Sequence, residues 1–470
     1  MVSNAQTGKD EPRTFEKTRT SETVLQRITA LRAPRLLMGL ELSLLLFAIA
    51  VGVAAVIIID LTVNGAVTAT LLPSGALFIV SLLALHFTIR KVTPDADPLI
   101  MPIAAFLNVI GVAMIYRIDL ANELTGWGAD SVRQLVWSTV AVVAAIVVLA
   151  LIRNHIVLFR YTYLTGLAAV ILLLMPMLPG IGKTINGARV WIHIGSFSFQ
   201  PGEIAKILLA IFFAGYLVRN RDSLAMVGKK LLGIRFPRGR DLGPLLVFWL
   251  AAMSVLVFQR DLGTSLLYFG LFLSMLYLAT GRIGWIILGV GLFLVGGLVA
   301  SQTLEYVNQR FENWLNPFAD PYGVSHQMVQ GLFGMANGGM TGTGLGQGYP
   351  ADTPLAQSDY IIPSLGEELG LIGLFVILAA YLLLVGRGLR IGFAGQDDFG
   401  KLLAAGLAFA IALQVFIVVG GVTRLIPLTG LTAPFLAAGG SSLVSNWIII
   451  ALLILLSNSV RNRPKLVIRA

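Results

Sequence analysis

The chain has 470 residues, 56% hydrophobic and 12% charged, with a net charge of +10 and a mean hydropathy of +0.83. A soluble domain is about 25% charged, so this composition excludes one and indicates an integral membrane protein. The chain has no cysteine, which excludes disulfides and cysteine-based metal or nucleophile chemistry. The positive charge would suit nucleic acid, but the loop bias of a membrane protein explains it better.

Twelve apolar stretches are predicted to cross the membrane as helices, and many of them are long enough to span ~30 Å of hydrocarbon. They are predicted at residues 36–59, 70–89, 99–116, 134–152, 161–179, 203–218, 243–258, 263–280, 283–302, 361–386, 401–421 and 440–458. Residues 1–33 are polar and predict a disordered cytoplasmic tail, and residues 459–470 predict a short second tail. The predicted fold is an all-α polytopic membrane protein with about 12 transmembrane helices and a large loop, residues 303–360, between helices nine and ten.

Lysine and arginine are unevenly divided between the two sets of predicted loops. With the N-terminus in the cytoplasm, the inner segments hold 26 of the 34 lysines and arginines and the outer loops hold seven. Cytoplasmic loops carry this excess in membrane proteins. Both termini are therefore predicted to be cytoplasmic, and the 303–360 loop extracytoplasmic.

The first polar motif opens the sixth predicted helix. The residues from Gly187 to Phe199 begin with alternating apolar and polar side chains, which predict a short extended or re-entrant element. Pro201 suits the first turn of a helix. Glu203 and Lys206 are three residues apart and share one helix face. They are either a local ion pair or a cation held beside an anionic substrate.

Other outer-face residues extend this set of charges. Asp261 stands at the start of a predicted helix, where it would serve as an N-cap. Arg133 and Arg310 are outer-face cations close to predicted helices. Together with Lys206 they could bind an anionic headgroup such as a pyrophosphate.

The 303–360 loop holds the acidic residue with the strongest claim to chemistry. Its glycine run, Gly342–Gly348, lacks the Lys-Ser/Thr and the preceding strand of a phosphate cradle, so it predicts a flexible loop. Asp359 stands where the chain re-enters a helix, with Glu367 and Glu368 about two turns further on. Acids are costly near lipid, so these residues predict a polar site buried in protein. Asp359 is either a helix cap or a catalytic carboxylate, and the two glutamates could be structural acids that support the site.

Several segments between about residues 97 and 458 form an ordered set of motifs: Arg133-Gln134, Phe199–Lys206, Asp261–Thr264, Asn316–Gly323, Gly342–Gly346, Ser358–Ile362, Gly366–Gly370, Pro427–Pro434 and Gly439–Ser442. Together they resemble the shape, elongation, division and sporulation (SEDS) family, of the RodA/FtsW type. The two helices predicted within residues 34–96 look like an addition to the usual ten-helix core. With the segment 420–430, that addition looks most like the actinobacterial RodA branch.

The resemblance implies a peptidoglycan glycosyltransferase that polymerises lipid II at the outer face of the bacterial plasma membrane, for elongation and shape. Its implied partner is a class B penicillin-binding protein, with membrane lipids around it and no nucleic acid. The family forms a β-1,4 bond from an α-linked donor, so one inverting displacement suffices. The pyrophosphate leaving group needs charge neutralisation rather than the acid that inverting glycosidases require. One base and a cationic pocket are therefore enough.

In this mechanism Asp359 is the general base toward the acceptor 4-hydroxyl, or the holder of a divalent cation that assists it. No cofactor or metal is otherwise specified. The predicted substrate-binding residues are Arg133, Lys206, Arg310, Glu203 and Asp261. Among these, Glu203 is expected to orient Lys206, and Asp261 to support the cavity wall. Arg260 departs from the family, because many relatives have proline at that position.

Three alternative functions are open. A lipid II flippase would share the substrate, but it needs polar residues through the full depth of the bundle, and here the charges lie near the outer ends of the helices. A division-specific polymerase of the FtsW type is the alternative within the enzyme class, and the short C-terminal tail favours elongation by analogy alone. A non-catalytic scaffold for a penicillin-binding protein would leave the carboxylate and cation cluster unexplained.

Overall fold

The computed structural model describes residues 16–185, 187–194, 197–225, 230–231, 234–235 and 243–462. These residues form a helical bundle with two small antiparallel sheets. The α-helices are α1 (Glu16–Val63), α2 (Leu72–Val92), α3 (Ile100–Ala121), α4 (Asp130–Leu151), α5 (Ile156–Arg160), α6 (Thr162–Leu174), α7 (Pro201–Ala225), α8 (Gly243–Gln259), α9 (Leu262–Thr280), α10 (Ile283–Thr303), α11 (Glu305–Leu315), α12 (His326–Gly338), α13 (Ile361–Ala394), α14 (Asp398–Val422) and α15 (Gly440–Arg461).

Ten helices of the described chain are long and apolar enough to span a membrane, namely α1 from Gly39 onward, α2, α3, α4, α7 as far as Arg221, α9, α10, α13, α14 and α15. This confirms a mainly α-helical, multi-pass membrane protein. Helices also occupy the predicted stretches 161–179 and 243–258, but α6 has 13 residues and α8 has 17. The count of twelve spans therefore stays a prediction.

The segment 1–33, predicted to be a disordered tail, overlaps the start of α1. The backbone is helical from Glu16, so α1 includes residues 16–33. Leu25, Ile28 and Leu31 recur every three residues there, a spacing that suits a helix better than a disordered chain. Residues 1–15 lie outside the described residues, as do residues 463–470 of the predicted C-terminal tail.

The extended element predicted before α7 is confirmed as a three-stranded antiparallel sheet. It consists of β1 (Gly182–Ile185), β2 (Ala188–Ile194) and β3 (Phe197–Phe199), with β2 in the middle. A two-stranded sheet, β4 (Lys230–Leu231) and β5 (Ile234–Arg235), lies between α7 and α8. The larger sheet leads directly into Pro201 at the start of α7.

The most buried span helices are α3, α9, α14 and α15, which form the centre of the bundle. Helices α1 and α2 lie outside it, with α1 against α3 and α2 against α4, while α6 packs on α7 and α13 on α14. The segment between α10 and α13 contains α11 and α12. The starts of α7, α9, α13 and α15 meet at one end of the bundle, and the candidate site lies there.

Candidate active site

Asp359, Arg310 and Asp261 come together at this end of the bundle, although they are far apart in sequence. A side chain at Gly430 would lie 3.9 Å from both the Asp359 carboxylate and the Arg310 guanidinium, so these two groups flank the same glycine. Gly430 has φ +76°, a conformation that glycine adopts without the steric cost of a side chain. A bare backbone therefore passes beside the carboxylate and the guanidinium.

The charges in this cluster act on one another. The pKa of the Asp359 carboxyl is raised to about 6, chiefly by burial; within that net shift the Arg310 guanidinium acts to lower the pKa and the Asp261 carboxylate acts to raise it. Burial also raises the pKa of Asp261, against hydrogen bonds from Thr264 and the charge of Arg310. A carboxyl with a pKa near the working pH can both exist as a base and accept a proton with a useful driving force.

Asp261 also caps α9, as its sequence position predicts. Its Oδ1 accepts a hydrogen bond from the Thr264 amide at 2.9 Å, and Oδ2 accepts one from the Thr264 hydroxyl. Asp261 can therefore cap the helix and also line the site. The residue is buried, at 9% exposure, and its carboxylate interacts electrostatically with Arg310.

Arg310 is held in place by the segment between α14 and α15. Its Nη1 donates to the Leu428 carbonyl at 2.9 Å. One helical turn later the Trp314 indole donates to the Arg424 carbonyl, and the Arg424 guanidinium donates back to the Trp314 carbonyl, both at 2.9 Å. The Arg424 guanidinium thus binds backbone carbonyls. Of the two arginines, Arg310 is the one that lies beside Asp359.

A second chain of contacts fixes the backbone just before Asp359. The Gln134 side chain donates to the Ala437 carbonyl at 2.9 Å and accepts from the Gly439 amide at 3.1 Å. The intervening Ala438 amide donates to the Gln357 carbonyl at 2.8 Å. In the sequence, Gln134 stands out only as part of the Arg133-Gln134 motif. Its positioning role was missed, because the turn it binds lies some 300 residues away in sequence.

Glu203 and Lys206 form the predicted ion pair at the start of α7, and it is buried. The Lys206 ammonium is 2.8 Å from Glu203 Oε2 and 2.8 Å from Gln414 Oε1, and the Lys206 residue is 2% exposed. The Ser445 hydroxyl also donates to Glu203 Oε2 at 2.8 Å. Three helices, α7, α14 and α15, therefore meet on one buried pair. Gln414 and Ser445 were missed, because single polar residues within an apolar helix give no positional signal.

Glu367 and Glu368 hold the glycine-rich segment before Asp359. The Glu367 carboxylate accepts the Tyr349 amide at 3.0 Å, and the Glu368 carboxylate accepts the Gly346 amide at 2.9 Å. On its other oxygen Glu368 accepts Arg117 Nε at 2.9 Å. Both are 4% exposed or less. The glycine run is thus a braced turn rather than the free loop that its composition predicts.

An interruption in α13 provides further hydrogen-bond acceptors for the glycine run. Gly370, at φ 67° and ψ −173°, interrupts the helix, so carbonyls in the preceding turn lose their partners within the helix. The Glu367 carbonyl accepts the Thr343 amide at 2.9 Å, and the Glu368 carbonyl accepts the Gly344 amide at 3.0 Å. The interruption therefore provides acceptors for the glycine run.

Arg133 is placed differently from the other predicted cations. It forms an ion pair with Asp130 on the same helix, and its side chain is 46% exposed. No described contact links it to Asp359. As for metals, no group of three or more His, Cys, Asp or Glu residues that could hold an ion occurs in the described chain. A cation at this site would be held by Asp359, with Asp261 as its acidic neighbour.

Comparison with known proteins assigns the chain to a family. Residues 98–462 match the FtsW, RodA and SpoVE family model, described as cell cycle protein. The chain is 46% identical over 427 residues to the peptidoglycan glycosyltransferase RodA of Mycobacterium tuberculosis, covering 90% of this chain and 91% of that protein.

Solved structures share the fold. The rod shape determining protein RodA of Thermus thermophilus aligns with a TM-score of 0.56 at 22% identity, covering 78% of this chain and 98% of that one. A chain of a peptidoglycan synthase complex aligns with a TM-score of 0.53 at 22% identity, covering 83% of this chain and 98% of that one. Because the family model matches residues 98–462 and the identity to a member reaches 46% over 90% of the chain, the protein belongs to the FtsW/RodA/SpoVE family.

Proposed function

We propose that the protein is a peptidoglycan glycosyltransferase that polymerises lipid II at the outer face of the plasma membrane, for cell elongation. One observation carries this proposal: Asp359, with a pKa of about 6, lies beside Arg310 at the end of the bundle where four helices begin. The 46% identity to a RodA named as a peptidoglycan glycosyltransferase supports the same activity.

The site suits one inverting displacement. The Asp359 carboxylate would take the proton from the acceptor hydroxyl as that oxygen attacks the anomeric carbon. Arg310 would neutralise the departing pyrophosphate, since a guanidinium can bind phosphate oxygens in pairs. Asp261 would keep Arg310 oriented through its charge. The buried Lys206 ammonium already has two oxygen partners, so its contribution to substrate binding is proposed to act through the position of α7.

Orientation and partner belong to the same proposal. The excess of lysine and arginine in the inner segments supports cytoplasmic termini and an outward-facing Asp359. The likeness of fold to a chain of a peptidoglycan synthase complex supports assembly with a class B penicillin-binding protein, which would crosslink the new strands.

The test is polymerisation of labelled lipid II by the purified full-length protein, with and without a class B partner. We expect glycan ladders from the wild type and a loss of about 100- to 10,000-fold in Asp359→Ala, the usual contribution of a general base. Asp352→Ala is the matched control, because Asp352 is an exposed acid on the same loop. Ladders from Asp359→Ala equal to those of the wild type would refute the assignment. If no polymer forms under any condition, the result would favour the flippase, which a lipid II translocation assay would then test.

A further inference from the structure

A second charged cavity lies at the end of the bundle opposite Asp359. It has a volume of about 370 Å³ and is lined by Asp97, Arg387, Arg390 and Arg461 together with apolar side chains. The α13 helix begins beside Asp359 and reaches Arg387 about seven helical turns later. The cavity is therefore separate from the candidate active site.

Asp97 organises the arginines. It is 4% exposed, and its Oδ1 accepts the Leu99 amide at 3.0 Å. Its Oδ2 accepts Arg461 Nη2 at 2.6 Å and lies 3.5 Å from Arg387 Nη1. The Asp97 amide in turn donates to the Ser457 hydroxyl at 2.9 Å. The carboxylate thus fixes two guanidinium groups from two helices at the point where α3 begins.

The cavity has more positive charge than it can neutralise. Three arginines face one carboxylate, a net charge of +2. Arg390 has no ion-pair or hydrogen-bond partner among the described side chains, and the side chains of Arg387 and Arg461 are 30% and 35% exposed. A guanidinium has five N–H donors, so most of the donors here have no acceptor among the described residues.

The ends of the helices explain only part of this charge. A cation stabilises a helix C-terminus through the helix dipole, but the effect falls off within the last turn. Arg387 lies two turns before the end of α13 at Ala394, so the dipole accounts for Arg461 and not for Arg387. Ile391 and Val460 add apolar walls beside the guanidinium groups. The cavity joins a cationic centre to an apolar surface at the end of membrane-spanning helices.

We propose that this cavity binds the phosphate headgroup of an anionic phospholipid. Paired N–H donors of arginine match phosphate oxygens, and basic pockets between transmembrane helices on the cytoplasmic side are typical sites for anionic headgroups. The volume falls within the range of ligand sites. The apolar walls favour a lipid over free phosphate, because they would contact the first carbons of its chains. The bound lipid would tie the start of α3 to the ends of α13 and α15.

The test uses the full-length protein in a neutral detergent and measures Tm while phosphatidylglycerol or phosphatidylcholine is added. A ligand that binds only the folded state raises Tm with its concentration. We expect phosphatidylglycerol to raise Tm more than phosphatidylcholine does. The midpoint concentration should rise at least tenfold in Arg387→Gln/Arg390→Gln.

Two further variants separate binding from folding. Arg390→Gln removes a cation without breaking the Asp97 pairs, so it should keep the wild-type Tm in detergent alone and still bind phosphatidylglycerol more weakly. Arg153→Gln removes an exposed arginine from the same end of the bundle and should bind like the wild type.

Three results would overturn the proposal. They are equal Tm shifts from both lipids, an equal loss of binding in Arg153→Gln, and competition by inorganic phosphate at the same concentration as the lipid. The last result would identify a free-phosphate site instead. None of these results bears on glycan polymerisation, which depends on the opposite end of the bundle.

Discussion

At the scale of single residues, the Asp359 carboxyl sets the expected pH dependence. A general base must be deprotonated, and burial raises the pKa of Asp359 to about 6. We therefore expect kcat/KM for polymerisation to rise with pH between about 5 and 7 and then to level off. A profile of initial rates over that range measures it. A rate that does not change across pH 6 would contradict a base at this position.

The neighbouring arginine should shift that profile. Because the Arg310 charge lowers the pKa of Asp359, Arg310→Gln should raise this pKa and move the rising limb to higher pH. The midpoint is read relative to the variant's own maximum rate, so a loss of substrate binding does not obscure it. Arg189→Gln, on β2 with its guanidinium donating to the Leu178 carbonyl, should keep the wild-type midpoint. An unchanged midpoint in Arg310→Gln would show that the two groups are not coupled.

The buried Lys206–Glu203 pair predicts a stability effect that is not additive. Lys206→Met leaves the Glu203 carboxylate buried with Ser445 as its remaining hydrogen-bond donor among the described contacts. Removing one partner of a buried pair costs about 3 to 5 kcal/mol. The double variant Lys206→Met/Glu203→Gln should recover much of that loss, since no unpaired charge remains. Thermal unfolding of each variant in detergent measures this, and additive losses would count against the pairing.

At the scale of elements, the interruption of α13 at Gly370 is the feature that brings the glycine-rich segment against the helix. A Cβ at Gly370 would meet the Gly342 amide nitrogen at 2.2 Å, and φ there is +67°. Gly370→Ala should therefore destabilise the fold by about 1 to 3 kcal/mol from backbone strain alone and reduce polymerisation.

The same helix provides the control. Gly386 has open space around its Cα and no positive φ, so Gly386→Ala should be neutral or stabilise by about 0.5 to 1 kcal/mol. Unfolding midpoints of the two variants give the comparison. Equal midpoints would mean that the interruption at Gly370 is not a structural requirement.

At the scale of the whole molecule, the predicted orientation can be tested directly because the chain has no cysteine. Single cysteines at Tyr322, which is 89% exposed in the segment between α10 and α13, and at Arg153 and Asn462 would report on the two faces. A membrane-impermeant maleimide should label Tyr322→Cys in intact cells. It should label Arg153→Cys and Asn462→Cys only after permeabilisation. The opposite pattern would invert the assignment of every loop.

Sequence patterns determined the class of fold because lipid imposes a simple rule: a spanning segment needs about 20 apolar residues whose backbone is satisfied within a helix. Length and hydropathy therefore gave the long helices from α2 to α15. The rule says less where helices are short, as in α6 and α8, or where a polar segment continues a helix, as in residues 16–33 of α1. It also says nothing about the order in which helices pack.

The sequence alone singled out Asp359, Arg310, Asp261, Glu203 and Lys206, because charged residues beside or within apolar helices are rare and costly. Only the tertiary structure decided which of them meet. It put Arg310 beside Asp359, enclosed Lys206 between α7, α14 and α15, and left Arg133 paired with Asp130. The physical reason is that helical periodicity fixes neighbours three or four residues apart. Contacts between residues hundreds of positions apart depend on how whole helices pack, which local patterns do not encode.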